Sequence, residues 1–173
     1  MSIHIIIDGY NLIRQSHKFS EIDRQDIQLG REALLETLIA YQKIKRHKIT
    51  VVFDGTNAPS FFQRRSRVRG IRIKFSRSGE LADAVIKRMV SREKEKALVV
   101  SSDLDIVNFA AAKGAAAISS SEFEEKITQA VYMDINGVES QEESGWTPTT
   151  KKKGPSKRLS KRKRRNRSKI KKL

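Results

Sequence analysis

No cysteine occurs in the 173 residues. Disulfide scaffolds and thiolate-ligated metal centres are therefore excluded, and a reducing, intracellular compartment suits the chain. No apolar stretch approaches the roughly 20 residues of a membrane span. The chain enters Ile3-His4-Ile5-Ile6-Ile7 at once, which reads as a strand and not as a signal peptide. A cytoplasmic protein without a membrane partner is the expectation. Histidine is scarce: His4, His17 and His47 stand far apart, and none neighbours another acid–base candidate. His4 falls in a strand as a core or flank residue. Internal repeats are absent.

Acid is missing from one long segment. Residues 151–173 hold 14 of the 36 Lys and Arg and no Asp or Glu. The other 150 residues keep 22 basic groups against 20 acidic ones, a net +2. Nearly all of the +16 formal charge thus sits in the tail. A concentrated positive segment is the footprint of a polyanion partner, and nucleic acid is the polyanion that fits a chain with no anchor. Leu159, Ile170 and Leu173 are the tail's large aliphatic residues. So few apolar groups do not offset ordering entropy, and the tail is expected to be disordered alone.

The body alternates two hydrophobic periods. Apolar runs at Ile3–Ile7, Ile49–Phe53, Ile71–Phe75, Leu98–Val100 and Ala115–Ile118 lack strict alternation, as do strands covered on both faces. Helical spacing occupies Ile27–Lys45, Leu81–Val90, Asp103–Lys113 and Phe123–Val131. Ser121 and Glu124 read as a capping box, and Gly114 as a helix stop. The order predicts an α/β fold with a mostly parallel five-stranded sheet and right-handed crossovers. A body of about 140 residues suffices for one core. The expected division is 1–135 for the body, 136–150 for a polar linker and 151–173 for the basic tail. Trp146 stands out in the linker, for docking on the body or on a partner.

Ligands of parallel sheets bind outside the carboxyl ends of the strands. Acids gather there: Asp8 after the first strand, Asp54 after the second, Glu80 and Asp83 after the third, Asp103 and Asp105 after the fourth. Carboxylates packed together repel unless a cation sits among them. Oxygen donors without His or Cys suit Mg²⁺ or Mn²⁺, and such an ion supports phosphodiester hydrolysis. Each acid also has a structural reading alone. Asp103 or Ser102 serves as a helix cap, Asp54 before Gly55 as a turn residue, and Glu80 as a first-turn residue complementing the helix dipole. Asp8, followed by what reads as a Gly-Tyr-Asn turn, and Asp83, inside a helix one turn before Lys87, least need that explanation. Tyr10 faces substrate or packs.

Ile7-Asp8-Gly9-Tyr10-Asn11, Val52-Phe53-Asp54-Gly55, Phe75-Ser76 with Gly79-Glu80-Leu81-Ala82-Asp83, and Val99-Val100-Ser101-Ser102-Asp103 together resemble the YacP-like NYN domains of the PIN-like nuclease superfamily. Ala116-Ala117-Ile118-Ser119-Ser120-Ser121-Glu122-Phe123 is similar to the last strand–helix step of that group. The resemblance spans roughly residues 3–135. It implies a Rossmann-like three-layer fold and a Mg²⁺- or Mn²⁺-dependent endoribonuclease. Asp8, Asp83 and Asp103 correspond to the metal-binding, catalytic aspartates. Asn11 and Glu80 lie near the metal in support, with Glu80 a further candidate ligand and Asp54 and Asp105 in supporting positions. RNA turnover, including ribosome-linked mRNA cleavage, is the setting it implies.

Two basic segments are candidates for RNA contact. One carries Arg64, Arg65, Arg67, Arg69, Arg72, Lys74 and Arg77, with Phe61 and Phe62 before it as base-stacking or core residues. The other is the tail, including Lys151, Lys152, Lys153, Arg162, Arg164 and Arg165, suited to messenger or ribosomal RNA. Two alternatives to a nuclease remain. One is a non-catalytic RNA- or ribosome-binding protein of the same fold. The other is a small-molecule phosphohydrolase using the Asp103-Leu104-Asp105 pair. If the tail neutralises six phosphates, RNA affinity falls on the order of a thousandfold between 50 and 200 mM salt. Fluorescence anisotropy with a labelled RNA measures this, and a flat salt dependence refutes a phosphate-reading tail.

Overall fold

The computed structural model describes residues 3–55, 67–137 and 160–173. Phe61, Phe62, Arg64, Arg65, Trp146, most of the linker and Lys151–Lys153 lie outside the described residues, as does the side chain of Arg162. Six strands form one sheet: β1 (His4–Asp8), β2 (Lys48–Phe53), β3 (Arg67–Val68), β4 (Ile71–Phe75), β5 (Ala97–Val100) and β6 (Ala116–Ile118). Their order is β3-β4-β2-β1-β5-β6. Every pair is parallel except β3 with β4. The apolar runs of the sequence predict five of these strands. The sixth is the two-residue β3, joined to β4 by a turn in which Arg69 and Gly70 both take positive φ, 42° and 97°. A two-residue hairpin of this twist requires such angles.

Among the described residues the helices are α1 (Gly9–Gln15), α2 (His17–Gln25), α3 (Ile27–Lys45), α4 (Ala82–Glu93), α5 (Leu104–Ala112), α6 (Ser120–Ile135) and α7 (Lys161–Lys171). A 3-10 turn at Lys94–Lys96 links α4 to β5. Helices cover both sheet faces, as the unalternating strands require. On one face Ile5, Ile7, Val51 and Ile73 pack with Leu12 and Ile13 of α1, Phe19 of α2, Leu34 and Leu38 of α3, and Phe123 and Ile127 of α6. On the other, Ile6, Val52 and Val99 pack with Val85, Ile86 and Val90 of α4 and Ile106 and Ala110 of α5. The result is a three-layer sandwich.

Two helices and one cap differ from the sequence reading. Gly9-Tyr10-Asn11 is the first turn of α1, capped by Asp8, and not an open turn. Gly9 is required there because a Cβ would lie 2.3 Å from the Phe53 ring. Tyr10 packs edge-on against Phe53 and bonds through its hydroxyl to the buried Arg31. The cap of α6 is Ser119, whose hydroxyl accepts from the Glu122 N–H at 3.2 Å. Ser121 lies inside the helix. The run Ser119-Ser120-Ser121 offers competing registers, and the one that lets Phe123 and Ile127 face the core is adopted. Gly114, at φ 80°, ends the chain's run after α5 as expected. His4 is buried in β1 with Nε2 2.8 Å from Thr50 Oγ1 and Nδ1 3.1 Å from Glu93.

The largest departure concerns the tail. Residues 161–171 form a helix, and the expectation of disorder fails there. Ser160 caps it. Leu173 is buried in the larger core with Ile170 packed against it. Tyr41 donates its hydroxyl to the Leu173 backbone oxygen at 3.1 Å, and Asn166 reaches the Ala115 carbonyl. Thus α7 packs beside β6 and shields an edge strand whose unpaired backbone would otherwise be open. Two apolar residues, correctly spaced, anchor what their total number would not. Leu173→Ala should lower unfolding free energy by about 2 kcal/mol, with faster amide exchange across 160–173. Unchanged exchange, read by mass spectrometry, would sink the anchoring role.

Candidate active site

The strand order reverses between β1 and β5, the neighbours from which the chain winds outward in both directions. A crevice at the carboxyl ends of such strands is where open α/β sheets place ligands. Asp8 ends β1, and Asp103 follows β5 by three residues. Asp8 is buried, at 8% exposure. One of its oxygens accepts the Asn11 N–H at 3.2 Å and so caps α1. The other accepts the Ser101 hydroxyl at 3.2 Å. Ser101 in turn accepts the Asp103 N–H at 3.1 Å, so one buried hydroxyl joins both aspartates. Asp103 caps α5 by accepting the Asp105 N–H at 2.8 Å.

Asn11 fastens the same crevice from below. Its Oδ1 accepts the Ser102 N–H and the Ser120 hydroxyl, each at 2.8 Å. The Ser120 N–H reaches Ser102 Oγ at 3.2 Å. Asn11 therefore ties α1 to the loops after β5 and β6. The sequence reading missed Ser101, Ser102 and Ser120 as positioning groups. The signal was a Ser-Ser-Asp run directly after an apolar strand, where every side chain must find a polar partner.

The third aspartate arrives on α4. Leu81, at the N-cap position, has no capping oxygen. Asp54, after β2, supplies it by accepting the Ala82 N–H at 2.7 Å. That bond sets Asp83, in the first turn, toward the other acids. Asp83 feels repulsion from Asp103, Asp54 and Asp105. Burial first, and these charges next, push its carboxyl above the usual range, while Lys87 opposes. Asp105 is ion-paired with Lys87.

Glu80 stands apart from this group. It pairs with Arg88 and accepts the Arg77 N–H. The Arg88 bond is the main cause of a carboxyl held below its usual range. As placed, Glu80 is engaged by cations and not by the aspartates. Arg72 and Lys74 alternate with the core residues Ile71 and Ile73, in register with Thr50 and Val52. They therefore share the sheet face of Ile6 and Asp8. Arg77 follows β4 at the end where Asp8 stands, whereas Arg67 lies level with Arg72 and Arg69 sits in the turn before β4, toward the opposite end of the sheet. Arg164 and Arg165 lie elsewhere, on α7, and Arg165 pairs with Glu95.

Helix capping alone does not explain Asp8. Desolvation raises its carboxyl from an ordinary 3.8 to about 6; Asp83 and Asp54 add to the rise, and the Asn11 and Ser101 bonds oppose it. A rise of about two units costs roughly 3 kcal/mol. A cap contributes about 1 kcal/mol, and Ser or Asn caps as well without charge. A cation placed among these acids removes the penalty. The donor set, oxygen only, suits Mg²⁺ or Mn²⁺. Among the described residues no three His, Asp or Glu side chains stand close enough to wrap an ion directly. Mg²⁺ is commonly held by one or two carboxylates and several waters, so Asp8 with Asp83 or Asp103 is compatible with that donor chemistry.

With fold and site in place, comparison with known proteins assigns the class. The family model for the YacP-like NYN domain matches residues 5–172, and the chain belongs to that family, a nuclease-like, RNA-related class of domain. The match runs through α7. Among solved structures the chain is similar to Rae1 (YacP) from Bacillus subtilis, at 22% identity over 80% of each chain with a TM-score of 0.65. A tryptophan-to-leucine variant of that protein aligns at 20% identity, over 78% of this chain and 80% of that one, also with a TM-score of 0.65. At these identities the likeness speaks to the fold. No curated protein matches the sequence. No helix among the described residues is long and apolar enough to cross a membrane.

The Asp8 shift has a thermodynamic consequence. Its folded pKa is raised, so its contribution to stability is fully present below pH 3.8 and is lost as pH rises through about 6. In EDTA at pH 7.5, Asp8→Asn should therefore be more stable than wild type by about 1–3 kcal/mol. The difference should shrink as pH falls below 6. Urea titrations at pH 5 and 7.5 decide it; a destabilised variant at both pH values contradicts the burial penalty.

Proposed function

We propose that the chain is a metal-dependent endoribonuclease that hydrolyses RNA phosphodiester bonds at the β1–β5 crevice. The observation that carries this reading is Asp8, a buried carboxylate with no cationic partner among the described residues, at the switch point of a nuclease-like fold. Asp8 with Asp83 or Asp103, the remaining aspartate acting through bound water, would hold Mg²⁺ or Mn²⁺, which when bound supplies Lewis acidity to the scissile phosphate and a more acidic water. Ser101 and Asn11 hold Asp8 and the β5–α5 loop in place. Lys74, level with Asp8 across the sheet, and Arg77 beyond β4 offer charge to the phosphates of a strand entering there.

The basic helix α7 lies at the other end of the sheet, among the residues that precede β1, β2 and β5. It does not deliver RNA into the crevice as a flexible arm. It instead suits a fixed contact with a large structured RNA, such as ribosomal RNA, while messenger RNA occupies the crevice. Ribosome-associated mRNA turnover is the setting we infer. A non-catalytic RNA-binding role is the second reading, and the spread of the acids favours it.

Purified Asp8→Asn and Asp103→Asn proteins should each lose Mn²⁺-dependent cleavage of a single-stranded RNA by on the order of 100-fold or more. RNA affinity should stay within severalfold of wild type. Undiminished cleavage by the double variant refutes the nuclease assignment. Calorimetry that detects no Mg²⁺ or Mn²⁺ site favours the binding role.

A further inference from the structure

A second site lies at the opposite end of the sheet. A cavity of about 720 Å³ opens between α7, the end of α4 and the 3-10 turn. Ile3, just before β1, forms part of its wall. Six cations line it: Arg92, Lys94, Lys96, Arg165, Lys169 and Lys172. Among the described residues lining it, only Glu93 and Glu95 oppose them, and both are already engaged. Glu93 lies 3.1 Å from His4 and 3.8 Å from Lys48. Glu95 pairs with Arg165, and its backbone oxygen accepts from Lys169. The side chains of Arg92, Lys94, Lys96 and Lys172 make no hydrogen bond or ion pair among the described residues.

Four such cations around one hollow repel each other and gain from a shared anion. Burial already holds the Lys169 ammonium below its usual range. The backbone adds an independent mark. Lys94 sits at φ 48°, ψ −122°, a conformation that costs a non-glycine residue on the order of 1–3 kcal/mol. That strain places consecutive side chains of the 3-10 turn around the cavity. The hollow is half open to solvent, and a concavity of roughly 300–1,000 Å³ is of a size that suits a discrete ligand.

We propose that this cavity binds a triphosphate group, presented either by a free nucleoside triphosphate or by the 5′ end of an RNA. Its phosphates bridge Lys94 and Lys96 of the 3-10 turn to Lys172 beyond α7. The ligand thereby clamps α7 to the body at a place remote from the crevice.

Inorganic tripolyphosphate, titrated into the full chain by calorimetry, should bind saturably. The double substitution Lys94→Gln with Lys96→Gln should weaken it about tenfold or more, with an unchanged circular dichroism spectrum and melting temperature. Amide exchange across residues 161–171 should slow with tripolyphosphate in the wild type and not in the variant. A nucleoside triphosphate and a 5′-triphosphorylated oligoribonucleotide then distinguish the two sources; tight binding of either supports the site. Absence of saturable binding, or undiminished binding by the variant, overturns the proposal. So does equal affinity for the same oligoribonucleotide bearing a 5′-hydroxyl, which would mark a reader of the phosphodiester backbone.

Discussion

A carboxylate buried at the end of the central strand is the constraint on which the site depends. Asp8 cannot be moved without disturbing three things at once. It caps α1, it anchors Ser101, and it stands where the winding of the sheet reverses. The Ser101 hydroxyl passes the constraint to Asp103, and Asn11 passes it to the loops after β5 and β6. Asp54 performs the same service for α4 and so for Asp83. These polar bonds thus fix Asp8, Asp83 and Asp103 at one end of the sheet.

The charge distribution gives the molecule two unlike poles. At the carboxyl ends of the strands stand the aspartates, level with Lys74 of β4 and followed there by Arg77. At the amino ends, lysines and arginines of α4, the 3-10 turn and α7 surround a cavity. The sheet separates the two, and α7 belongs to the second. Its anchorage through Leu173 and Tyr41 makes part of the basic tail a fixed component of the domain. The family match reaching residue 172 agrees with that placement.

How much was legible in the sequence depends on the kind of signal. Four of the five longer strands are largely apolar and buried, the fifth, β4, alternates Ile with Arg and Lys, and the ends of all five are legible within a residue or so. Helix α3 was read to its observed limits, Ile27–Lys45, because a long apolar stripe carries a clear period. Helices α1 and α2 were not read. Gly9-Tyr10-Asn11 has turn composition, and only contact with Phe53 makes glycine a helix-starting residue there. Composition argued against order in the tail, yet position outweighed it: Ile170 and Leu173 fall where the core has room. In the site, Asp8, Asp54 and Asp103 are legible because they follow apolar strands, and Asp83 because it lies inside a helix where no cap is needed. The serines were not, since their roles depend on which loops the fold brings together. Glu80 looked equivalent to its neighbours, and only the position of Arg88 one helix face away separates it from them.

The most direct test is the titration of Asp8 itself, followed by carboxyl ¹³C chemical shift with and without Mg²⁺. Asp8 should titrate near pH 6 in the metal-free protein, and its pKa should fall into or below the ordinary carboxylate range when Mg²⁺ is present. An ordinary value in both conditions would contradict this, because Asp8 would then be a solvated helix cap with no charge in need of a cation.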